Sequence, residues 1–287
     1  MNFCRYFWIF LLLINYSIFS QSIDSNFTLV IDPGHGGKDP GNTGNGYLEK
    51  KIALSIGLKI GERLKKYKNI SVVYTRKTDV FVDLYRRAKI ANDVQADLFI
   101  SIHCDAHTSN AYGAGTFVLG LHANERNFKI AQKENSVIFL EDDYQQKYEG
   151  FDPNNPESVI SLVLMQEDYL DKSIVAANFI QKSFVNRLKR RDRTVKQAGF
   201  LVLRNTFMPS VLVETGFLTN KSEGSYLNSN KGQNEMADAI SDAIINYFKA
   251  LDNPSKYSEN LTRIDKYEFK IQISASKRLL PLKSYNF

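Results

Sequence analysis

The run Leu29-Val30-Ile31, followed at once by Asp32-Pro33-Gly34-His35-Gly36-Gly37, constrains this chain more than any other segment. The apolar residues read as the end of a buried strand, and Asp-Pro-Gly breaks it. The break delivers a histidine to the carboxyl end of a strand, where open α/β sheets build their sites. Leu98-Phe99-Ile100-Ser101-Ile102-His103 repeats the arrangement, and Val211-Leu212-Val213-Glu214 ends a third apolar run in a carboxylate.

Around these runs the chain alternates. Strand-like segments at 27–31, 70–75 and 98–103 are separated by helical patterns at 48–67 and 83–92. In the first helix Ile52, Ile56, Ile60 and Leu64 recur at i, i+4, the spacing of one helical face. This order predicts an α/β fold: a mostly parallel, twisted sheet flanked by helices on both faces. Further strands are expected at 115–121, 200–203 and 211–214, and a closing helix at 234–248 aligns Met236, Ile240, Ile244 and Phe248. Between about 122 and 196 the alternation lapses. Residues 123–140 and 157–190 read as helical and 141–156 as an acidic loop, so the stretch is read as a helical insertion into a domain spanning 27–250. It ends in the basic run Lys189 to Arg193, expected to be a solvated helix face.

The two ends read differently. Arg5 precedes the apolar run Tyr6 to Ile14, and residues 1–20 read as a secretory signal peptide; a retained membrane anchor is the alternative, but the run is short for a span and no permanent anchor is expected. After its removal Cys104 is the only cysteine, so no internal disulfide is expected. Export without disulfides suits a bacterial envelope protein, and the expected location is periplasmic. Residues 252–266 read as a linker and 267–287 as a tail with one strand-like alternation. The net charge of +6 suits an anionic polymer partner, but no aromatic-basic pattern accompanies it, so no nucleic-acid partner is expected.

Two imidazoles at equivalent strand ends, with glutamates nearby, suit a catalytic zinc ion, which takes three protein ligands and leaves one position for water. His35 and His103 supply two. Glu49 is the candidate third, because it starts the helix that follows the glycine-rich loop and meets the favourable end of the helix dipole. Glu214 is then the residue to move the proton. The competing reading makes each histidine a hydrogen-bonding residue of its own turn, and spacing alone does not choose between them. The loop Gly34 to Gly46 lacks the lysine-hydroxyl ending of a phosphate-binding loop. His107 is a further candidate ligand, His122 reads as a surface residue, and Cys104 as a small buried hydrophobe.

The motifs, in their order, resemble the zinc-dependent N-acetylmuramoyl-L-alanine amidases that separate bacterial cells. They are Val30 to Gly37, Leu48-Glu49-Lys50, Thr75-Arg76, Leu84 to Arg87, Ala91-Asn92, Ala96 to His103, and Val213-Glu214-Thr215-Gly216-Phe217-Leu218-Thr219-Asn220. The resemblance covers about 27–250. It implies one zinc ion held by His35, Glu49 and His103, with Glu214 as the catalytic carboxylate. The implied reaction is hydrolysis of the amide between the lactyl group of N-acetylmuramic acid and L-alanine of the peptidoglycan stem, in cell-wall remodelling and daughter-cell separation. Cys104-Asp105 stands where relatives often carry alanine and asparagine.

The resemblance also implies that the insertion covers the site until an activator protein displaces it. Residues 135–170 match that segment and contain Glu141, Glu149, Glu157 and Glu167, any of which could occupy the open zinc position. Phe269 to Ser276 is similar to the first strand of a SPOR peptidoglycan-binding module, with too few residues after it to complete one. Two other readings compete: a zinc peptidase cutting within the stem, and a non-catalytic wall-binding protein. The second is disfavoured because all four of His35, Glu49, His103 and Glu214 are present.

Overall fold

The computed structural model describes residues 25–121, 125–155, 158 and 167–252. The expected signal peptide, His122, part of the acidic insertion including Glu157, the linker beyond Asp252 and the SPOR-like tail lie outside the described residues. The compact unit ends at Asp252.

The fold is α/β. Six strands form the main sheet: β1 (Phe27–Pro33), β4 (Ile70–Tyr74), β5 (Leu98–Asp105), β6 (Ala114–Leu119), β7 (Asp192–Ala198) and β8 (Ser210–Phe217), in the spatial order β4-β1-β5-β8-β6-β7. The first four in that order are parallel; β6 runs antiparallel to β8, and β7 parallel to β6. A two-stranded ribbon, β2 (Thr43–Gly44) with β3 (Tyr47–Leu48), lies in the loop after β1. The central strands β5 and β8 are buried almost throughout, as continuous apolar runs covered on both faces must be.

Helix α1 (Glu49–Leu64) buries Ile52, Ile56, Ile60 and Leu64. Gly57 lets it close on the sheet, since a Cβ there would lie 3.0 Å from Pro33 and 3.3 Å from Ile31. On the same layer, α8 (Asn230–Asp252) packs against α1 and against α5 (Glu167–Asn186). Met236, Ile240, Ile244 and Phe248 are all buried, as their stripe predicts. The opposite face carries α2 (Leu84–Asp93), α3 (Glu125–Asn135), a 3₁₀ turn (Ser136–Leu140), α4 (Tyr144–Lys147) and α6 (Leu201–Arg204). One apolar cluster unites that layer: Val30, Phe99, Phe117 and Leu212 from the strands meet Ala131, Ile138, Tyr148 and Phe151 from the insertion. Helix α7 (Lys221–Asn228), capped by the Asn220 side chain, links β8 to α8.

Two elements differ from the sequence reading. Residues 200–203 are the cap and first turns of α6 rather than a strand, because a four-residue apolar run has no period of its own. The sixth strand is β7, from within the basic run and beyond it. Its alternation is polar because one face of this edge strand is exposed. Helix α5 and β7 therefore pack as integral parts of the sheet and its cover, whereas residues 125–151 form the segment that lies over the strand ends.

Candidate functional site

The end of β1 is held by two arginines. Arg87 of α2, fully buried, bonds Asp32 Oδ1 at 2.7 Å and the carbonyls of Pro33 and His35 at 3.0 and 2.9 Å. Arg76 donates to the carbonyls of Pro33, Gly34 and Lys50 at 2.7–2.8 Å, tying the loop to the start of α1. These bonds hold His35 at φ +59°, a left-handed conformation that turns its ring back over the sheet. Gly34 and Gly41 leave room for the site residues themselves. A Cβ on Gly34 would lie 2.5 Å from the His103 ring, and one on Gly41 2.6 Å from His35 and 2.8 Å from Glu49.

The loop thus brings together His35, Glu49 and His103. His35 Nε2 lies 3.2 Å from Glu49 Oε2 and 3.1 Å from His103 Nδ1; His103 Nδ1 lies 3.1 Å from Glu49 Oε1. The outward atoms are oriented in turn. His35 Nδ1 is 2.7 Å from Asp39 Oδ2, and His103 Nε2 is 3.0 Å from Ser101 Oγ, which donates to Asp32 at 2.7 Å. Glu49 accepts the backbone N–H groups of Asn42 and Cys104, both at 2.7 Å. Such outer bonds fix ring orientation, as around metal-ligating histidines.

A fourth group completes the cluster, and it corrects the sequence reading. Of the glutamates singled out between 135 and 170, Glu141 and Glu149 lie elsewhere, and among the described residues the fourth group is Glu134, on the last turn of α3. Its Oε2 lies 3.2 Å from His35 Nε2 and 3.2 Å from His103 Nδ1. Glu141 instead accepts from the Leu84 N–H at 2.8 Å and from Tyr148 Oη, and Glu149 faces Arg204 on the surface. Glu134 had one legible signal. Asn127, Ala131, Glu134, Asn135 and Ile138 are all buried and follow one helical stripe, so a carboxylate stands on the inward face.

One donor atom from each of His35, Glu49, His103 and Glu134 lies within 4.8 Å of the others. A small tetrahedral cation with bonds of about 2.0–2.1 Å spaces its ligand atoms about 3.3 Å apart, close to the 3.1–3.2 Å between the two imidazoles and from each imidazole to the carboxylates. Glu134 Oε2 is buried with no hydrogen-bond partner, although aimed between the two imidazoles. The cluster also attracts positive charge. Burial opposes protonation of both histidines, yet the glutamates hold His35 well above its ordinary pKa and lift His103 to about 9. Burial likewise opposes ionisation of Glu134, yet His35 and His103 bring its pKa down to about 2. The donor set fits one metal ion.

Glu214 stands beside the cluster rather than in it. It pairs in register with His103 across β5 and β8, so the two side chains share a face. Both carboxylate oxygens are buried without a hydrogen-bond partner. Burial first, then the Asp105, Glu134 and Glu49 carboxylates, push its pKa well above the ordinary range. Burial also raises Asp105, to about 6. An opening of about 420 Å³ next to the cluster is lined by Asn42, Asp105, His107, Arg126, Lys133 and Glu134. His107 stands at this rim, exposed, its Nδ1 held 3.0 Å from the Ser109 N–H, and takes no part in the cluster. Cys104 is buried against Thr215, and burial raises its thiol pKa well above the usual value.

A buried carboxylate without a hydrogen-bond partner beside a metal-type cluster, at the carboxyl ends of parallel strands, is the arrangement of an α/β hydrolytic enzyme. The sequence pattern described as N-acetylmuramoyl-L-alanine amidase matches residues 29–246, and the chain belongs to this family of peptidoglycan amidases. It is 35% identical over 235 residues to N-acetylmuramoyl-L-alanine amidase AmiA of Escherichia coli K12, covering 80% of this chain and 79% of that one. AmiA of Salmonella typhimurium is 35% identical over 244 residues, covering 84% and 82%. Among solved structures, an N-acetylmuramoyl-L-alanine amidase from Clostridium difficile 630 superposes with a TM-score of 0.60 at 28% identity, over 79% of this chain and 99% of that one.

Proposed function

We propose that this amidase is zinc-dependent, with His35, Glu49 and His103 as protein ligands and Glu214 as the catalytic acid and base. The observation that carries the reading is the buried, unpaired Glu214 carboxylate on the strand next to the three-residue cluster. Zinc, when bound, supplies a Lewis acid for the scissile carbonyl and brings the pKa of a water towards about 7. The chain's own residues do the rest. Asp39, Ser101 and the backbone of Asn42 and Cys104 hold the ligands in orientation. Glu214 takes a proton from the attacking water and passes it to the leaving L-alanine nitrogen. The lactyl side of the amide therefore lies towards the cluster and the stem peptide towards Glu214.

In the closed form Glu134 fills the fourth position and keeps substrate out. Its neighbours brace the segment: Lys133 bonds Asn42, Lys38 bonds the Leu140 carbonyl, and Asn135 bonds the Gly199 carbonyl and the Leu201 N–H. An activator that displaces residues 125–151 then governs turnover. The leader-like residues 1–20 and the nature of the substrate support work in the periplasm, and the resemblance supports a role in cell separation.

Digestion of purified peptidoglycan by the zinc-loaded protein tests this. Glu134→Ala is expected to release intact stem peptides faster than wild type, and Glu134→Ala with Glu214→Gln to release none while still binding zinc. Retained release by the double variant would remove Glu214 from the chemistry. Equal rates for wild type and Glu134→Ala would remove the plug.

A further inference from the structure

Beyond Glu214 the sheet continues with β6 and β7, and the groups there face the same side. Gly115 pairs with Glu214, and Phe117, two residues on, pairs with Lys196 of β7. Gly115 has no side chain to fill the space between. A Cβ there would lie 3.4 Å from Lys196 Nζ and 3.0 Å from the Arg193 side chain. The lysine therefore reaches across the glycine towards Glu214, and the two line one small cavity with Asp105 and Arg193. Its ammonium rests 4.9 Å above the Phe117 ring. Among the described residues no hydrogen bond or ion pair engages it. Arg126 and Ile130, both on α3, close the cavity from the plug side. A half-buried ammonium held only by an aromatic face, with no hydrogen bond or ion pair among the described residues, beside the catalytic carboxylate, is placed to take an anionic ligand. Burial and the nearby Arg126 guanidinium lower its pKa only to about 8, so it is still largely cationic at neutral pH.

The order across the strands is then cluster, Glu214, glycine gap, Lys196. Because Glu214 serves the leaving nitrogen, the peptide departs along this line. We propose that Lys196 is the carboxylate subsite of the leaving peptide, receiving the free α-carboxylate of the isoglutamate that follows L-alanine. Two extended residues span about 7 Å, within the two strand spacings of about 4.8 Å each that separate β8 from β7. This rests on the assignment of Glu214 above.

The test uses the full chain carrying Glu134→Ala, loaded with zinc, and two substrates: N-acetylmuramoyl-L-alanyl-D-isoglutamate and its isoglutamine counterpart, in which the α-carboxylate is an amide. The expected result is a preference of about tenfold in kcat/KM for the acid, the scale of one charge-assisted contact. It is carried mainly by KM, falls to about onefold in Lys196→Met, and is retained in Lys196→Arg. Separately, the peptide L-alanyl-D-isoglutamate is expected to shift the Lys196 side-chain NMR signal in the metal-free protein, and the isoglutamine peptide is not. Equal cleavage of both substrates by the parent overturns the subsite, as does a preference unchanged in Lys196→Met. Cleavage of neither substrate overturns the catalytic assignment instead, and the NMR titration then decides the subsite alone.

Discussion

Arg87 illustrates how one side chain holds a site that it does not enter. It neutralises Asp32, which in turn orients Ser101 against His103. Burial alone raises the Asp32 pKa, but Arg87, with Thr75 and Ser101, brings it below its ordinary value. A depressed carboxylate adds stability above its unfolded pKa, and that contribution is lost as pH falls through the folded pKa. Arg87→Met leaves a buried charge unpaired and is expected to cost about 3–5 kcal/mol at neutral pH. The sign of the pH effect then reverses. Burial now favours protonated Asp32 in the folded state, so the deficit relative to wild type shrinks as pH falls from 7 towards about 4, and further below that as wild type loses its own contribution. Urea midpoints measured from pH 7 down to 3 check this; a deficit constant across that range would contradict it. At this scale the sequence was informative where chemistry sits on strand ends. His35, His103 and Glu214 follow apolar runs, and Glu49 opens a helix. Glu134 was hidden because a glutamate on a surface-type helix usually faces water, and only tertiary packing turns its face inward.

Among the elements, strands and helices with clean periods were legible, including α1, α8 and the four parallel strands. Strand β7 was not, because an edge strand with a solvated face lacks apolar alternation. The covering segment was legible as an interruption but not in its extent, since α5 has the amphipathic pattern of any helix that packs on a sheet. What anchors the cover can be tested. Glu141 accepts the Leu84 N–H at the start of α2, where Asp83 provides no side-chain cap, and its second oxygen accepts from Tyr148. Glu141→Ala removes a cap made only in the closed form, worth about 1 kcal/mol. Basal peptidoglycan hydrolysis is therefore expected to rise about fivefold. Amide exchange in 125–151 is expected to accelerate in step, and higher activity with unchanged exchange there would argue against the anchor.

For the molecule as a whole, a metal that binds only the folded state stabilises it by mass action. Zinc at a hundred times its dissociation constant adds about 2.7 kcal/mol, a rise in Tm of roughly 5–10 °C for a domain of this size. His35→Ala is expected to lose most of that rise in a thermal melt with and without chelator; a shift that survives would place the metal elsewhere. The apolar cluster that joins Ala131, Ile138, Tyr148 and Phe151 to the strands has a wider consequence. The segment 125–151 shares the core of the enzyme, so the displacement proposed above would expose apolar surface to water. On the proposed reading, resting quiescence and thermal robustness are thus the same property of this chain. Selection for a sturdier protein, in a cell or in a laboratory library, would drift towards one that is harder to wake.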